Sequence, residues 1–281
     1  MIIVDFNGIA VGNVITQKLD IQEDLIRHMI LNTLRMYNKK FRDKYGQMVI
    51  ACDSSSWRKE YFPQYKFKRK VGREESSMDW NEVFRIINLV REEIRTNMPY
   101  KVIHVQGAEA DDIIGALAME TQEFGKHEDV MIVSADKDFI QLQKHENVRQ
   151  FSPMTKKFID DKNPRMYLFE HILKGDSGDG IPNCLSGDDT FVDGVRQSPM
   201  TQKKISSYLA STDLKEAMGE EIYRNYCRNK KLIDLEEMPD DLKSTIINTY
   251  EATKPPHKMK VLSYFIEKRC KMLIESIEEF Y

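Results

Sequence analysis

Four short apolar runs in this sequence are each followed by acidic residues within a few positions, and this pattern constrains the fold more than any other feature. Residues 130–138 (VMIVSADKD) are the clearest case, because a run rich in β-branched side chains, typical of a buried strand, opens into two carboxylates. In an open sheet of parallel strands the loops after the carboxyl ends lie along one crevice, so such acids are predicted to converge. The other three runs, 2–4, 48–52 and 102–105, lead to Asp5, to Asp53 and to Glu109-Ala110-Asp111-Asp112.

Converging carboxylates favour a bound cation. Like charges raise one another's pKa unless they are neutralised. The predicted ligands are all carboxylates, whose oxygen atoms Mg²⁺ prefers, and the set includes no His or Cys. Acids at the start of the helix predicted at Glu109 also complement its dipole, but that accounts for only one or two of them and not for their alignment with the other strand ends. The pattern therefore predicts a metal site, and no Ser-His-Asp or Cys-His arrangement accompanies it.

The composition is typical of a globular enzyme, and the overall charge does not indicate what the protein binds. The 281 residues suffice for one large domain or for a large and a small one, and 41% hydrophobic with 31% charged residues is ordinary for a soluble protein. The net charge of −3 is nearly balanced. The four cysteines are far apart without CxxC spacing, which indicates reduced thiols, and no secretory leader or run of about 18 apolar residues is present. We therefore expect a cytoplasmic protein with no membrane partner.

Helical periodicity alternates with the strands in the first part of the chain and replaces them in the second. Amphipathic patterns at 21–44, 80–96 and from 109 onwards predict helices, which gives an α/β fold with right-handed crossovers. A short pair of extended segments is expected at 147–158. We predict domains at 1–165 and 166–281, with a tight turn at 174–183 and a loop at 184–203. Helices of the second domain are expected at 167–173, 203–209, 214–229, 239–253 and 261–280.

The segment 54–79 combines positive charge with aromatic rings. A charge run is more often a solvated helix face, but this one shares its segment with aromatics and leaves directly from Asp53. Cations for phosphates beside rings for bases suit a single nucleic acid strand. Its residues are Arg58, Lys59, Lys66, Lys68, Arg69, Lys70 and Arg73, interleaved with Trp57, Tyr61, Phe62, Tyr65 and Phe67. The basic segment 254–271 is predicted to be a second phosphate-binding surface.

Five motifs follow one another along the chain: VDFNG at 4–8, VIACD at 49–53, GAEADD at 107–112, VSADKD at 133–138 and KGDSGDGIPN at 174–183. Each is weakly specific alone, but in this order they resemble the structure-specific 5′ nuclease family of flap endonucleases and the 5′ nuclease domains of bacterial DNA polymerases. The likeness is greatest to the ribonuclease H type of T-even-type phages and covers essentially the whole chain. It implies a PIN-like, mostly parallel central sheet flanked by helices, followed by a smaller all-helical domain with a helical hairpin that binds duplex DNA.

The resemblance also implies site residues. Residues 54–79 correspond to the arch through which a 5′ single strand passes, and Lys66 and Arg69 to the pair that contacts the scissile phosphate. One metal ion would be held mainly by Asp5, Asp53, Glu109 and Asp111, and a second by Asp136 and Asp138 with Asp176 and Asp179 from the turn, while Asp112 supports these ligands. The expected nucleic-acid contacts are Arg58, Lys59, Tyr65, Lys66, Lys68, Arg69, Lys70, Lys203 and Lys204.

The implied activity is that of a 5′→3′ exonuclease and flap endonuclease with ribonuclease H activity on RNA–DNA and DNA–DNA duplexes. Its task would be the removal of RNA primers and flaps during lagging-strand replication, by two-metal hydrolysis with Mg²⁺, for which Mn²⁺ substitutes. Expected partners are duplexes with 5′ ends or flaps, a sliding clamp and a single-strand-binding protein. A monomer is expected, in the host cell cytoplasm if the protein is phage-encoded.

In one region the sequence departs from the family. Other members follow the turn with a glycine-rich hairpin that binds duplex phosphates with the help of a potassium ion. Residues 184–200 lack a clear GxGxK pattern and include Asp188, Asp189 and Asp193. The sequence therefore does not predict a potassium site, and duplex binding is expected to rely on Lys203, Lys204 and the basic segment 254–271.

Two other functions remain open from the sequence. A Toprim-type nicking or phosphotransfer enzyme also carries a DxD motif at a strand end, as at Asp136 and Asp138. Such domains pair it with an early Glu, where this chain has Asp5, and they lack an arch. A catalytically inactive DNA-structure-binding module would have lost several of the acids, whereas all of those named above are present.

Overall fold

The structure, a computed structural model, describes residues 1–17 and 21–281. Within them, six strands form one sheet in the order β3-β2-β1-β4-β5-β6. The pairs from β3 to β5 are parallel, and β6 runs antiparallel to β5. The strands are β1 (Ile2–Asp5), β2 (Met48–Cys52), β3 (Lys101–His104), β4 (Val130–Val133), β5 (Val148–Ser152) and β6 (Lys157–Ile159).

The apolar runs form the centre of this sheet, as predicted. The side chains of Ile2, Ile3 and Val4 on β1 are fully buried, and β2 and β4 are buried along their whole length. Strands that lie between two layers of helices have no solvent face, which is why their sequences are continuously apolar rather than alternating. The α/β fold class and the extended pair at 147–158 are confirmed.

Helices occupy most of the remaining described chain. The sequence did not predict α1, which begins at the residue after β1, and it placed the start of the next helix at 21 instead of Glu23. The α-helices are α1 (Phe6–Gln17), α2 (Glu23–Tyr45), α3 (Arg58–Tyr61), α4 (Phe67–Glu74), α5 (Trp80–Asn97), α6 (Ala110–Glu120), α7 (Pro164–Lys174), α8 (Gln202–Leu209), α9 (Leu214–Ile233), α10 (Asp240–Ala252), α11 (Met259–Glu267) and α12 (Lys271–Ile274). None of the helices described is long and apolar enough to cross a membrane.

The chain divides into two compact units whose membership differs from the expected domains in two segments. Unit 1 comprises Met1–Ser55, Asp79–Asp160 and Asp240–Tyr281, and unit 2 comprises Ser56–Met78 and Asp161–Pro239. The division at 160/161 lies close to the boundary expected at 165. However, the arch segment groups with the helical unit, and the last 42 residues (281 − 239) group with the sheet.

The C-terminal segment belongs to unit 1 because its helices bury polar and apolar groups there. The ammonium group of Lys101 on β3 donates to the Tyr250 carbonyl on α10 at 2.8 Å. On α11, the Tyr264 hydroxyl donates to the Glu93 carboxylate at 2.8 Å, and that carboxylate also accepts from the buried Arg27 at 2.7 Å. Lys268 lies 3.1 Å from the same carboxylate. A buried ion pair with these extra partners fixes the C-terminal helices against α2 and α5.

The continuous helix predicted at 261–280 is wrong. After α11 the backbone enters the left-handed region at Arg269 (φ 55°), α12 is a single turn, and a 3₁₀ turn spans Ile277–Phe280. This break brings the rings of Phe265 and Phe280 together, with centroids 5.1 Å apart and both side chains fully buried. One straight helix would keep residues fifteen positions apart more than 20 Å from each other, so tertiary packing overrides the local helical period.

Unit 2 has its own apolar core, and the arch contributes to it. Phe62 and Tyr65 pack with residues of the turn and of α7 and α9, namely Ile172, Ile181, Leu232 and Ile233. A second cluster joins α7, α8 and α9 through Leu173, Cys184, Ile205, Tyr208 and Met218. Residues 184–200 contain no helix or strand, as expected. The arch segment is therefore part of a folded unit, with α4 presenting its basic residues.

Candidate active site

Asp5 ends the central strand, and its carboxylate is held from two sides. Its Oδ1 accepts a hydrogen bond from the Gly8 amide at 2.8 Å, and its Oδ2 accepts from the Ser134 hydroxyl at 3.0 Å. A Cβ at position 8 would lie 2.3 Å from Asp5 Oδ2, so the glycine there leaves room for this orientation of the carboxylate. The direct passage from β1 into α1 thus provides both the amide donor and the room for this carboxylate.

Asp53 lies at the end of the neighbouring strand and contacts the start of α6. Its Oδ1 accepts from the Ala110 amide at 2.7 Å. The amide groups in the first turn of a helix have no intrahelical partner, so an aspartate there satisfies a donor and meets the positive end of the dipole. This bond ties the end of β2 to the helix that carries the next group of acids.

The acids at the start of α6 differ in their surroundings. Asp112 is fully buried, and its Oδ2 accepts from the Glu109 amide at 2.9 Å, which forms part of a capping box. Glu109 itself is buried, and Asp111 is half-buried in the first turn. Asp112 therefore has a structural task at the start of α6, and its supporting role at a metal site stays a prediction.

Asp136 and Asp138 occupy the loop after β4, where a network of hydrogen bonds shapes the backbone. Asp136 Oδ1 accepts from the Asp138 amide at 3.0 Å and so caps the 3₁₀ helix Lys137–Lys144. The buried Ser134 hydroxyl accepts from the Asp136 amide at 3.1 Å while it donates to Asp5. The Gln150 side chain on β5 donates to the carbonyls of Ser134 (3.1 Å) and Asp136 (2.5 Å).

Ser134 and Gln150 were not predicted as site residues. Ser134 stands inside the VSADKD motif, two residues before Asp136, and its position at a strand end was the available signal. The sequence contained no signal for Gln150, because the role of this buried glutamine is visible only when the loop after β4 lies beside β5. Together they hold the loop so that Asp136 follows β4 at the same edge as Asp5.

The carboxylates of this edge repel one another. The pKa of Asp5 is raised to about 6, chiefly by burial, with further contributions from the charges of Asp53 and Asp136. Three strand-end carboxylates therefore lie close enough to interact, as the sequence pattern predicted. We call the set Asp5, Asp53, Glu109, Asp111, Asp112, Asp136 and Asp138 the acidic edge. A set of carboxylate oxygens that carry like charges suits a divalent cation, because the cation would neutralise their mutual repulsion.

The turn at 174–183 in unit 2 holds its carboxylates in a different way. Asp176 Oδ1 accepts from the amides of Gly178 (2.7 Å) and Asp179 (3.0 Å), and its Oδ2 lies 3.5 Å from His171 Nε2. The His171 hydrogen bond is the largest of the causes that lower the pKa of Asp176 to about 2. This carboxylate is thus stabilised as an anion by the protein itself.

Asp179 is surrounded by arch residues. Its Oδ2 accepts from the Tyr65 hydroxyl at 3.1 Å and lies 3.6 Å from Lys66 Nζ, and its Oδ1 accepts from the guanidinium group of Arg69. The two cations expected to contact the scissile phosphate therefore meet on one carboxylate within unit 2. The sequence did not predict this contact.

The other arch residues divide into buried and exposed. Arg58 is only 2% exposed, and its Nε donates to the Leu232 carbonyl at 2.8 Å. Tyr65 is 4% exposed within the apolar core. In this conformation neither can meet a nucleic acid as expected, because folding of the arch against α9 encloses both. Lys59, Lys68 and Lys70 are exposed, as are Lys203 and Lys204 in the first turn of α8.

Two aspartates of the loop 184–200 contact side chains elsewhere in unit 2. Asp188 forms ion pairs with Arg228 and, at 3.2 Å, with Arg224 on α9. Asp189 Oδ1 accepts from the Gln64 amide group at 2.6 Å. These two aspartates therefore join the loop to α9 and to the arch.

The comparisons with known proteins agree with this architecture. Residues 7–168 match the family model described as the N-terminal resolvase-like domain of 5′-3′ exonucleases, and residues 162–280 match the model of the T4 RNase H C-terminal domain. These matches make the chain a nuclease, a hydrolase that cleaves phosphodiester bonds. The chain belongs to the 5′-3′ exonuclease family and carries the C-terminal domain of the T4 RNase H type. The resemblance stated from the motifs is confirmed.

Individual relatives show how far the similarity extends. The ribonuclease H of Enterobacteria phage T4 is 33% identical over 292 aligned positions, which cover 99% of this chain and 95% of that protein. A 5′-3′ exonuclease of Buchnera aphidicola (subsp. Schizaphis graminum) is 33% identical over 55% of this chain and 53% of its own length. The first of these relates the whole chain, including unit 2, to a single protein.

Two solved structures share the fold. The flap endonuclease of bacteriophage T5, in a pseudo-enzyme-product complex with DNA and metal ions, matches with a TM-score of 0.62, 16% identity and coverage of 89% of this chain and 98% of that one. The T5 5′-exonuclease with bound zinc matches with a TM-score of 0.61 and 17% identity, over 89% of this chain and 98% of that one. The expected PIN-like fold class is confirmed by this likeness.

Proposed function

We propose that this protein is a metal-dependent 5′→3′ exonuclease and flap endonuclease with ribonuclease H activity, which removes RNA primers and flaps during lagging-strand replication. The observation that carries the proposal is the acidic edge, where Asp5, Asp53 and Asp136 interact at neighbouring strand ends. The similarity to a ribonuclease H along 99% of the chain supports the substrate class. Hydrolysis would leave a 5′-phosphate and a 3′-hydroxyl.

The acidic edge would hold two Mg²⁺ ions, with Mn²⁺ as a substitute. Six carboxylates are proposed as ligands, directly or through water, because Mg²⁺ prefers oxygen donors and retains several waters. When bound, such a pair activates a water and stabilises the leaving oxygen of an in-line displacement. Asp176 and Asp179 are not included among these six ligands, because both carboxylates have partners within unit 2. Their role as metal ligands remains a prediction from the resemblance. The six ligands proposed are Asp5, Asp53, Glu109, Asp111, Asp136 and Asp138.

Neighbouring residues would keep these ligands in place. Ser134 orients Asp5 and the backbone of Asp136 at once, and Gly8 leaves the Asp5 carboxylate the room that any side chain would take. Asp112 fixes the start of α6 through the Glu109 amide. Orientation of ligands by such hydrogen bonds typically changes metal affinity or activity about 10- to 100-fold.

The arch would bind the phosphates of the 5′ strand. Lys66 and Arg69 would neutralise negative charge on the reacting phosphate, a contribution of about 2–4 kcal/mol for a well-placed donor. The exposed rings of Tyr61 (49%) and Phe67 (40%) are available for stacking on bases. The exposed Lys59, Lys68 and Lys70 on the arch, together with Lys203 and Lys204, would bind further backbone phosphates.

The replication role also suggests where and with what the protein acts. We place it in the cytoplasm of the host cell as a monomer, with a sliding clamp and a single-strand-binding protein as candidate partners. This part of the proposal rests on the similarity to a phage ribonuclease H. Size-exclusion chromatography with light scattering, alone and with each partner, tests the monomer and the two complexes.

The activity is tested with a 5′-labelled flap duplex and a nicked duplex that carries an RNA primer. Each is incubated with wild-type protein in Mg²⁺, in Mn²⁺ and in EDTA, and with the Asp136→Asn variant in Mg²⁺. We expect short 5′ products only from wild type with a divalent ion. Asp43→Asn, which removes an exposed carboxylate on α2, is the matched control and should cleave normally. Tight binding of both substrates without cleavage would favour a DNA-structure-binding module instead.

A further inference from the structure

The two cations proposed to bind the scissile phosphate already share an anion in this structure. The Asp179 carboxylate accepts from the Arg69 guanidinium group on one oxygen, and on the other it meets Tyr65 (3.1 Å) and Lys66 (3.6 Å). The carboxylate is about 10% exposed and the Arg69 side chain 46%, so this ion pair is partly shielded from water. A guanidinium group, an ammonium group and a hydroxyl around one anion are a set of donors that suits a phosphate oxygen equally well.

The backbone fixes this arrangement. The Lys66 amide donates to the Asp179 carbonyl at 2.7 Å, and Arg69 Nε donates to the Gly178 carbonyl at 3.3 Å. Lys66 has left-handed dihedral angles (φ 58°, ψ 20°), a conformation that a lysine adopts only where its surroundings impose it. A Cβ on Gly180 would lie 2.9 Å from the Gln64 carbonyl oxygen, so arch and turn are in close contact here. The turn therefore determines where both cations stand.

We propose that Asp179 occupies, in the DNA-free protein, the anion position that a substrate phosphate takes on binding. The phosphate would replace the carboxylate between Lys66 and Arg69, because two anions cannot share the same donors without repulsion. In this role Asp179 is a positioning residue that acts through the two cations. It keeps the start of α4 ordered before DNA arrives, and it makes occupation of the site depend on a ligand that binds better than the internal carboxylate. The inference rests on the proposed function for the identity of the incoming phosphate.

If a phosphate replaces the Asp179 carboxylate, neutralising Asp179 should increase the affinity for DNA. In EDTA, where no cleavage interferes, Asp179→Asn should lower the Kd for a 5′-flap duplex about fivefold, the effect of releasing one partly shielded ion pair. Asp189→Asn is the matched control, because it removes the same charge from the same unit but its carboxylate bonds to Gln64. This control should change the Kd by less than about twofold.

A double-mutant cycle separates exchange from general charge repulsion. In a Lys66→Gln/Arg69→Gln background, Asp179→Asn should tighten binding no more than Asp189→Asn does, since the cations for which the carboxylate competes are gone. If Asp179→Asn tightens binding equally in both backgrounds, the effect is bulk charge and the proposal is overturned. If it weakens binding in the wild-type background, Asp179 supports the site in another way and the proposal is equally overturned.

A second measurement needs neither DNA nor activity. Hydrogen exchange of the amides in residues 62–74 should rise at least severalfold in DNA-free Asp179→Asn, and also in Lys66→Gln/Arg69→Gln, which breaks the same contact from the other side. Unchanged exchange in both variants would overturn the ordering role. Should wild type fail to cleave flap DNA in Mg²⁺, the proposed function fails while this measurement still decides the contact. Should wild type cleave while exchange and Kd stay unaltered, only the present inference fails.

Discussion

The two carboxylate regions of this protein both contain aspartates, but the pKa of an aspartate is raised in one region and lowered in the other. At the acidic edge of unit 1, burial and like charges raise the pKa of Asp5 to about 6. At the turn of unit 2, the His171 hydrogen bond and backbone amides lower the pKa of Asp176 to about 2, and Asp179 is paired with Lys66 and Arg69. The charges that act on Asp5 are those of the Asp53 and Asp136 carboxylates, whereas Asp179 is in contact with two cations.

Under the proposed function, the acidic edge is a site for an external cation and the arch with its turn is a site for an external anion. The acidic edge is less favourable without a cation, so binding of a divalent ion would stabilise the fold. The arch and turn are satisfied without a ligand, and a phosphate would have to displace Asp179. The sheet edge is therefore expected to respond to metal and pH, and the turn to respond to DNA and salt.

Neutralising one carboxylate in each region should give opposite effects on stability, and this is the largest difference we expect. Asp5→Asn should reduce Mg²⁺-dependent cleavage about a thousandfold, through loss of a metal ligand. In EDTA the same variant should melt about 2–4 °C higher than wild type, because one repelling charge is gone. Asp176→Asn should instead melt about 2–4 °C lower, because it loses the His171 interaction.

Melting by differential scanning calorimetry in EDTA and a flap-cleavage assay in Mg²⁺ test this pair. Asp43→Asn again controls for the loss of a surface charge and should change neither quantity. A lower melting temperature for Asp5→Asn in EDTA would show that its two hydrogen bonds outweigh the repulsion. The proposed contrast between the regions would then be wrong.

The dependence of stability on pH should differ between the regions in sign. Because the pKa of Asp5 is raised in the folded state, its contribution is fully present below its unfolded value near 3.8 and is lost as pH rises through about 6. The loss is at most about 3 kcal/mol. Asp176 behaves oppositely, since its contribution is present above pH 3.8 and is lost as pH falls through about 2.

Urea unfolding in EDTA at several pH values between 4.5 and 7.5 measures the first effect. Wild type should lose stability over this range relative to Asp5→Asn, and added Mg²⁺ at pH 7.5 should restore it. A wild type whose stability in EDTA runs parallel to that of Asp5→Asn across the range would contradict the raised pKa.

The close contact of turn and arch can be weakened without altering any charge. Gly180 has φ +74° and its Cβ position is blocked by the Gln64 carbonyl, whereas Gly194 has φ +67° with open space around it. Gly194→Ala should cost about 1 kcal/mol for the left-handed backbone alone, and Gly180→Ala about 2–3 kcal/mol because the clash is added. Equal urea midpoints for the two variants would mean that arch and turn separate at little cost.

Gly180→Ala should also raise hydrogen exchange in residues 62–74, and Gly194→Ala should not. This comparison distinguishes a local effect on the arch from a general loss of stability. It complements the charge variants, since the alanine moves the Lys66 backbone without removing a cation.

The sequence predicted the acidic edge better than the surroundings of the arch, and the reason is physical. Strand ends follow from local apolar runs, and parallel strands bring their ends to one edge, so Asp5, Asp53 and Asp136 could be grouped without a structure. The burial of Arg58 and Tyr65 depends on packing of the arch against helices more than a hundred residues later. No local pattern contains that information.

Long-range contacts also explain the other differences. The helix predicted at 261–280 breaks because Phe265 and Phe280 meet in one core, and Ser134 and Gln150 act only once two strands are side by side. The motifs indicated which residues matter chemically, but they did not indicate which of them already have partners. Asp179 is the clearest case, because its position in a glycine-rich turn suggests an exposed ligand while the fold gives it two cations.

The smallest effect we predict concerns the Tyr65 hydroxyl, which is the neutral member of the group around Asp179. Tyr65→Phe keeps the ring in its core with Phe62 and Ile181 and removes only the 3.1 Å hydrogen bond, so stability should fall by about 1 kcal/mol. The Kd for a 5′-flap duplex in EDTA should fall by no more than about twofold, because both cations still hold the carboxylate. If Tyr65→Phe tightens binding as much as Asp179→Asn, the hydroxyl rather than the ion pairs keeps the carboxylate in place. The difference between the turn and the acidic edge would then depend on the Tyr65 hydrogen bond to Asp179 and not on the ion pairs with Lys66 and Arg69.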